Sequence, residues 1–133
     1  MSADENVTTA KEGYAAFGRG DVPAILDLLT DDVVWIEAGP ADVIAAAGTY
    51  HGKDGVAEFF TSLGGSVDIH KFEPHEFIAQ GDHVVVLIHS EATVKATGKT
   101  ITDHLAHVWT FRGGKLARFE VFHDTAAAVA ANS

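Results

Sequence analysis

Three side chains in this sequence have the types needed to move a proton: a phenol at Tyr14, a carboxyl at Glu37 and an imidazole at His107. A carboxyl set in an apolar wall holds its proton more tightly than usual, because desolvation disfavours the charged form. A protonated histidine beside it pulls the other way. Either balance leaves the pair near neutral pH, where a general acid or base works best. His123 and His89 add two more imidazoles to the candidate set. Each group also has a plain structural reading. Tyr14 fits a core tyrosine with a satisfied hydroxyl, Glu37 fits a strand end in water, and His107 fits a satisfied core histidine.

Other chemistries find less support. The chain has no cysteine, which excludes a disulfide, a zinc–thiolate site and a thiol nucleophile. Eight histidines invite a metal reading, with His89, His107, His123 and Glu37 as the ligand set. No His-Glu-x-x-His spacing supports it, and the reading adopted has neither metal nor cofactor. His51, His70, His75, His83 and His104 fall on loops or outward faces and receive no role. Asp103 fits either a cavity mouth or open water.

The elements that must position these groups follow from periodicity. Val7, Ala10, Tyr14 and Phe17 recur at helical spacing over residues 4–18, and Gly18-Arg19-Gly20 stops the helix. Asp21 caps a second helix with Pro23 in its first turn and an apolar stripe running from Ile25 to Leu29. Val33 to Glu37 reads as a strand, and residues 42–47 as a short helical turn. Asp54 caps a third helix, carried by Val56, Phe59, Phe60 and Leu63 and ended by Gly64-Gly65. Four long strands follow, at 67–79, 83–95, 99–111 and 116–123, joined by glycine-containing turns that imply an antiparallel meander. Pro74 marks an edge or a bulge in the first of them. An Ala-rich tail, 124–131, closes the chain as a short helix.

Side chains alternate across a strand. A face that holds Glu37 also holds Trp35. A face that holds His107 also holds Leu105, Trp109 and Phe111. His123 shares its face with Phe119 and Val121, and His89 shares its face with Val85 and Leu87. Three helices followed by a curled sheet make an α+β fold with a concave face, the kind of surface on which small-molecule sites form.

The order of elements resembles the nuclear transport factor 2-like superfamily, in its SnoaL-like and ketosteroid isomerase-like branch. The resemblance rests on Tyr14-Ala15-Ala16-Phe17 with Gly20-Asp21, on Leu28 to Val33, on Gly48-Thr49-Tyr50-His51-Gly52 with Gly55 to Phe60, and on His107 to Leu116. It implies a cone-shaped curved antiparallel sheet wrapped around N-terminal helices, as one SnoaL-like domain over residues 1–133. It also implies an inward face. Catalytic candidates are Glu37 as base, Tyr14 and His107 as oxyanion donors, and His123. Substrate-binding candidates are Trp35, Phe60, Leu87 and His89, with Leu105, Trp109, Phe119 and Val121. Phe60 stands where the isomerase has a supporting tyrosine. Arg19, Arg112 and Arg118 lie on turns or outward positions, so the Asp-Arg-Asp relay of limonene-epoxide hydrolase is missing. The expected activity is that of a cofactor-independent isomerase, cyclase, dehydratase or hydrolase acting on a small hydrophobic molecule that bears a carbonyl, hydroxyl or epoxide. The alternative is a non-catalytic module of the same fold for ligand binding or dimerisation.

Composition bounds the partners. Nine Lys and Arg against nineteen Asp and Glu give a net charge of -10, which disfavours nucleic acid and anionic membrane surfaces. The opening MSADENVTTAKEG lacks the apolar run of a signal peptide, and no apolar stretch approaches the roughly 20 residues of a membrane span. The sequon Asn6-Val7-Thr8 therefore reads as chance, and a cytoplasmic location is expected. The family resemblance also implies a homodimer through the outer sheet face.

Overall fold

The computed structural model describes residues 2–133. Helix α1 (Ala3–Gly18) begins with a reciprocal cap: the Ser2 hydroxyl accepts from the Glu5 amide, and the Glu5 carboxylate accepts from the Ser2 amide. Gly20, at φ 70°, turns the chain out of the helix. Asp21 caps α2 (Val22–Leu26) by accepting from Ala24 N at 3.2 Å.

Helix α2 is shorter than its apolar stripe suggests. Leu28 O accepts from Leu116 N at 2.8 Å, and strand β1 (Leu29–Glu37) starts at the next residue. Pairing with a distant strand claims Leu29 before the helix can reach it. A short strand that the sequence does not announce, β2 (Gly48–His51), follows the loop after β1. Helix α3 (Gly52–Ser66) begins before Asp54 and runs through Gly64-Gly65. It stops at Val67, whose backbone turns extended to open β3 (Val67–Gln80).

Strands β4 (His83–Val94), β5 (Thr100–Arg112) and β6 (Lys115–Phe122) complete the sheet, and α4 (Thr125–Ala131) follows with Asp124 as its cap. The strand order is β2-β1-β6-β5-β4-β3. Strands β3 to β6 form the antiparallel meander expected from their turns, and β2 is antiparallel to β1. One pairing is parallel: β1 returns beside β6, the last strand in the chain, and runs in the same direction. The sheet is curved and does not close. Edge strand β3 carries irregularities at Ile69/Lys71 and Pro74/Glu76, the second where the proline signalled it.

The helices pack into the concave face, α1 against β3 and β4 and α3 against β1. A single buried cluster joins Val33 and Trp35 of β1, Val84, Val86 and Ile88 of β4, and the β5–β6 residues Trp109, Phe111 and Phe119. Helix α1 comes so close to β5 that a Cβ on Gly13 would sit 2.6 Å from the Trp109 ring. Among the described residues no helix is long and apolar enough to cross a membrane.

Candidate active site

Strand alternation and helix placement leave a cavity of about 190 Å³ between the concave face and the helices. Its walls are mostly apolar, with Phe17 and Tyr14 from α1, Phe59 and Phe60 from α3, and Trp35, Leu105, Trp109, Phe119 and Val121 from the sheet. Into this wall project Glu37, His107, His123 and Asp103.

Glu37 is the last residue of β1, on the same face as Trp35. Its side chain is only 15% exposed, and burial raises its pKa from 4.5 to about 8. Among the described residues the cation candidate beside it is His123, whose Nε2 lies 3.5 Å from Glu37 Oε1. That nitrogen is 2.7 Å from the carbonyl of Ala38. A carbonyl only accepts, so Nε2 carries the proton and donates it there. The carboxyl therefore sits beside a fixed N–H at the end of its own strand.

His107 is 6% exposed, and burial, reinforced by the charge of nearby His123, lowers its pKa to about 3. It is a neutral imidazole at any ordinary pH. Its Nδ1 lies 2.8 Å from the Tyr14 hydroxyl, and that hydroxyl accepts from Trp109 Nε1 at 2.9 Å. Burial pushes the Tyr14 phenol above its usual range, the Trp109 hydrogen bond opposing this in part. The phenol and the neutral imidazole hold two protons between them. One is spent on the bond that joins them, so the pair has a single hydrogen bond to give to the cavity. It comes from His107 Nε2 if Tyr14 is the donor within the pair, and from Tyr14 if His107 Nδ1 is. The two separate oxyanion donors expected from the resemblance reduce to one, because only a charged His107 would supply both.

The structure gathers Tyr14, Glu37, His107 and His123 around the cavity, with Trp35, Phe60, Leu105, Trp109, Phe119 and Val121 in its wall. It does not place Leu87 or His89 there. On β4 the buried face is Val84, Val86 and Ile88, and the wall continues with Ser90 and Ala92. Leu87 and His89 occupy the outer face, and His89 is exposed. The run from Val84 to Ile88 is apolar on both faces, so alternation carries no phase there. The usable signal lies further on, where His89 and Glu91 oppose Ser90 and Ala92, and charge selects the solvent side.

Asp103 is part of the cavity wall, and its carboxylate is engaged. Oδ1 accepts from His104 N at 2.7 Å, and Oδ2 accepts from Asp124 N at 2.9 Å, tying β5 to the start of α4. The β4 residues Ser90 and Ala92, Ala128 of α4 and Asn132 just after that helix are wall positions that the sequence does not single out.

The profile of the SnoaL-like domain family matches residues 10–119 of the chain. None of the curated proteins compared matches it. Among solved structures, an NTF2-like protein from Burkholderia xenovorans LB400 is 34% identical, with a TM-score of 0.91 over 100% of this chain and 99% of that one. An NTF2-like protein of unknown function from Burkholderia pseudomallei K96243 is 33% identical, with a TM-score of 0.87 and the same coverage. TerC, co-crystallised with polyporic acid, is 32% identical, with a TM-score of 0.81 over 96% of this chain and 98% of that one. With most of its length matched by the profile and its whole fold shared with these relatives, the chain belongs to the SnoaL-like domain family of NTF2-like proteins.

Proposed function

We propose that this protein is a cofactor-independent enzyme that moves a proton on a small, mostly apolar molecule bearing a carbonyl or hydroxyl oxygen. The observation that carries this reading is the Glu37 carboxyl, its pKa raised to about 8 by burial in an apolar cavity that also holds the Tyr14–His107 pair. A base of that strength is far more able than an ordinary carboxylate to remove a weakly acidic proton, and part of it is ionised at neutral pH. In the proposed step, ionised Glu37 takes the proton from the carbon next to a carbonyl. The C–H electron pair moves into the adjoining C–C bond and the carbonyl pair moves onto oxygen. The single hydrogen bond from Tyr14–His107 meets the developing oxyanion. His123 holds its Nε2–H on the Ala38 carbonyl, 3.5 Å from the Glu37 carboxyl, which keeps that carboxyl free for the substrate. Return of the proton to a different carbon, or loss of a leaving group, then decides whether the outcome is isomerisation or elimination.

Cavity size bounds the substrate. About 190 Å³ lies between the roughly 150 Å³ that admits benzene and the roughly 300 Å³ at which drug-sized pockets begin. One or two rings fit that range. TerC, 32% identical to this chain, was co-crystallised with polyporic acid, and that likeness supports a small oxygen-bearing ligand.

The test is proton exchange in heavy water. Small cyclic ketones, phenols and quinones are incubated with the protein, and deuterium uptake at carbon is followed by nuclear magnetic resonance. Catalysed exchange is expected with at least one of them, and Glu37→Gln should slow it by about a hundredfold or more. Exchange that is equally fast in Glu37→Gln removes the carboxyl from the mechanism. Ligand-induced shifts with no exchange make the domain a binding module.

A further inference from the structure

Three exposed histidines meet on the convex side of the sheet, away from the cavity. His75 of β3, His89 of β4 and His104 of β5 come from three neighbouring strands. His89 and His104 are direct register partners. His75 joins them because of the irregularity at Pro74/Glu76, which leaves it as the extra residue of a bulge on the edge strand. Regular alternation would turn either His75 or Glu76 inward, and the bulge turns both to solvent. The rings lie together, with centroids 4.3 Å apart for His75–His89, 4.4 Å for His89–His104 and 5.0 Å for His75–His104. One ligand nitrogen from each falls within 4.8 Å of the other two.

We infer that His75, His89 and His104 form a binding site for a divalent transition-metal ion of the kind that prefers imidazole, such as zinc, nickel or copper. The closest pair fits metal geometry. His75 Nε2 and His104 Nε2 are 2.9 Å apart. Metal–nitrogen bonds of about 2.0–2.1 Å place two ligands about 2.9 Å apart at a right angle and about 3.3 Å apart at the tetrahedral angle. The pair already has the first spacing and reaches the second by small side-chain rotations. Without a metal, one of these nitrogens must donate to the other. An ion replaces that shared proton, and the donor ring moves its proton to Nδ1, so both imidazoles remain neutral ligands. His89 makes no hydrogen bond among the described residues but stacks on both other rings, at interplanar angles of 16° and 22°, so its ring turns out of that stack to offer the third nitrogen. Glu76, beside His75 in the bulge, supplies negative charge near the ion, while Glu73, the register partner of His89, is paired with Lys71 at 3.9 Å and its charge is largely offset there. Water completes the coordination shell.

The ion would staple an edge. Strand β3 pairs only with β4 among the described strands, and the ligands span β3, β4 and β5, so binding ties the edge to the second strand inward. An ion that binds only the folded chain stabilises it by mass action.

The experiment uses the full chain without a histidine tag, stripped with a chelator and titrated with zinc chloride, nickel chloride or copper sulfate in a calorimeter. One equivalent should bind per chain with low-micromolar affinity or better for at least one metal. An excess of about a hundredfold over the dissociation constant should raise the melting temperature by roughly 10 °C. His104→Ala and His89→Ala should each weaken binding by about tenfold or more, while His83→Ala, another exposed histidine on β4, should leave it intact. Copper should add a visible absorption band that disappears in His104→Ala. Absence of saturable binding overturns the proposal, and so does binding that survives His104→Ala unchanged. Neither result bears on proton exchange in the cavity, which these residues do not line.

Discussion

Glu37 and His107 are two titratable side chains driven in opposite directions by the same cause. Burial disfavours charge, so the acid keeps its proton up to about pH 8 and the base stays unprotonated down to about pH 3. Both shifts carry a cost in stability. Folding raises the Glu37 pKa from 4.5, so its contribution is complete below pH 4.5 and is lost as pH rises through about 8. Folding lowers the His107 pKa from 6.5, so its contribution is complete above pH 6.5 and is lost as pH falls towards 3. The two overlap between pH 4.5 and 6.5, where their slopes oppose, and stability should be highest there. Glu37→Gln removes the alkaline loss. It should be more stable than the parent at pH 9 by a few kcal/mol, at about 1.4 kcal/mol for each pH unit of displacement, and within about 1 kcal/mol of it at pH 5. Urea denaturation at the two pH values checks this. Equal stabilities at pH 9 would mean that the carboxyl is well solvated.

At the scale of elements, helix α1 and strand β5 act as a pair. The phenol comes from the helix, and the imidazole and the indole come from the strand, so the chain from Trp109 through Tyr14 to His107 exists only while the two elements keep their spacing. Gly13 sets that spacing. Alanine there gains helix propensity worth about 0.5–1 kcal/mol. Its Cβ, however, would stand 2.6 Å from the Trp109 ring and 3.6 Å from Leu28 Cδ1, and overpacking a core contact costs about 1–3 kcal/mol. Gly13→Ala should therefore lower the urea midpoint and broaden the His107 ring resonances. A midpoint at or above that of the parent would show that the indole moves aside freely. Helix α2 and strand β4 teach a related lesson. Leu28 and Leu29 extend an apolar stripe at helical spacing, yet the backbone of Leu28 receives Leu116 and the helix ends early. Local periodicity yields when a distant strand offers a ladder.

The two sides of the sheet differ in character. The concave face carries the cavity, and the convex face carries both the histidine cluster and an apolar area. Ile78 is 49% exposed and Phe122 is 48% exposed, and Val85 and Val108, paired across β4 and β5, lie half-buried between them. We propose that this area pairs two copies of the chain. The histidine row lies four residues along the strands from Val85–Val108, about 13 Å at about 3.3 Å per residue, so the two uses are adjacent and separable. Sedimentation at micromolar concentration should give a dimer, and Val108→Asp should give a monomer with unchanged circular dichroism. A monomeric parent protein ends the dimer proposal.

Local patterns along the chain specify the fold family, the order of helices and strands, and the presence of a phenol, a carboxyl and an imidazole at positions able to meet. Periodicity, glycine turns and caps are local, so they can be read one residue after another. Long-range pairing alone decided the parallel placement of β1 beside β6 and the early end of α2. Tertiary contact also decided the sharing of protons that makes Tyr14 and His107 one donor instead of two. The physical reason is common to all three. Which strand is a neighbour and which nitrogen carries the proton depend on groups far apart in the chain, and no window of neighbouring residues contains them.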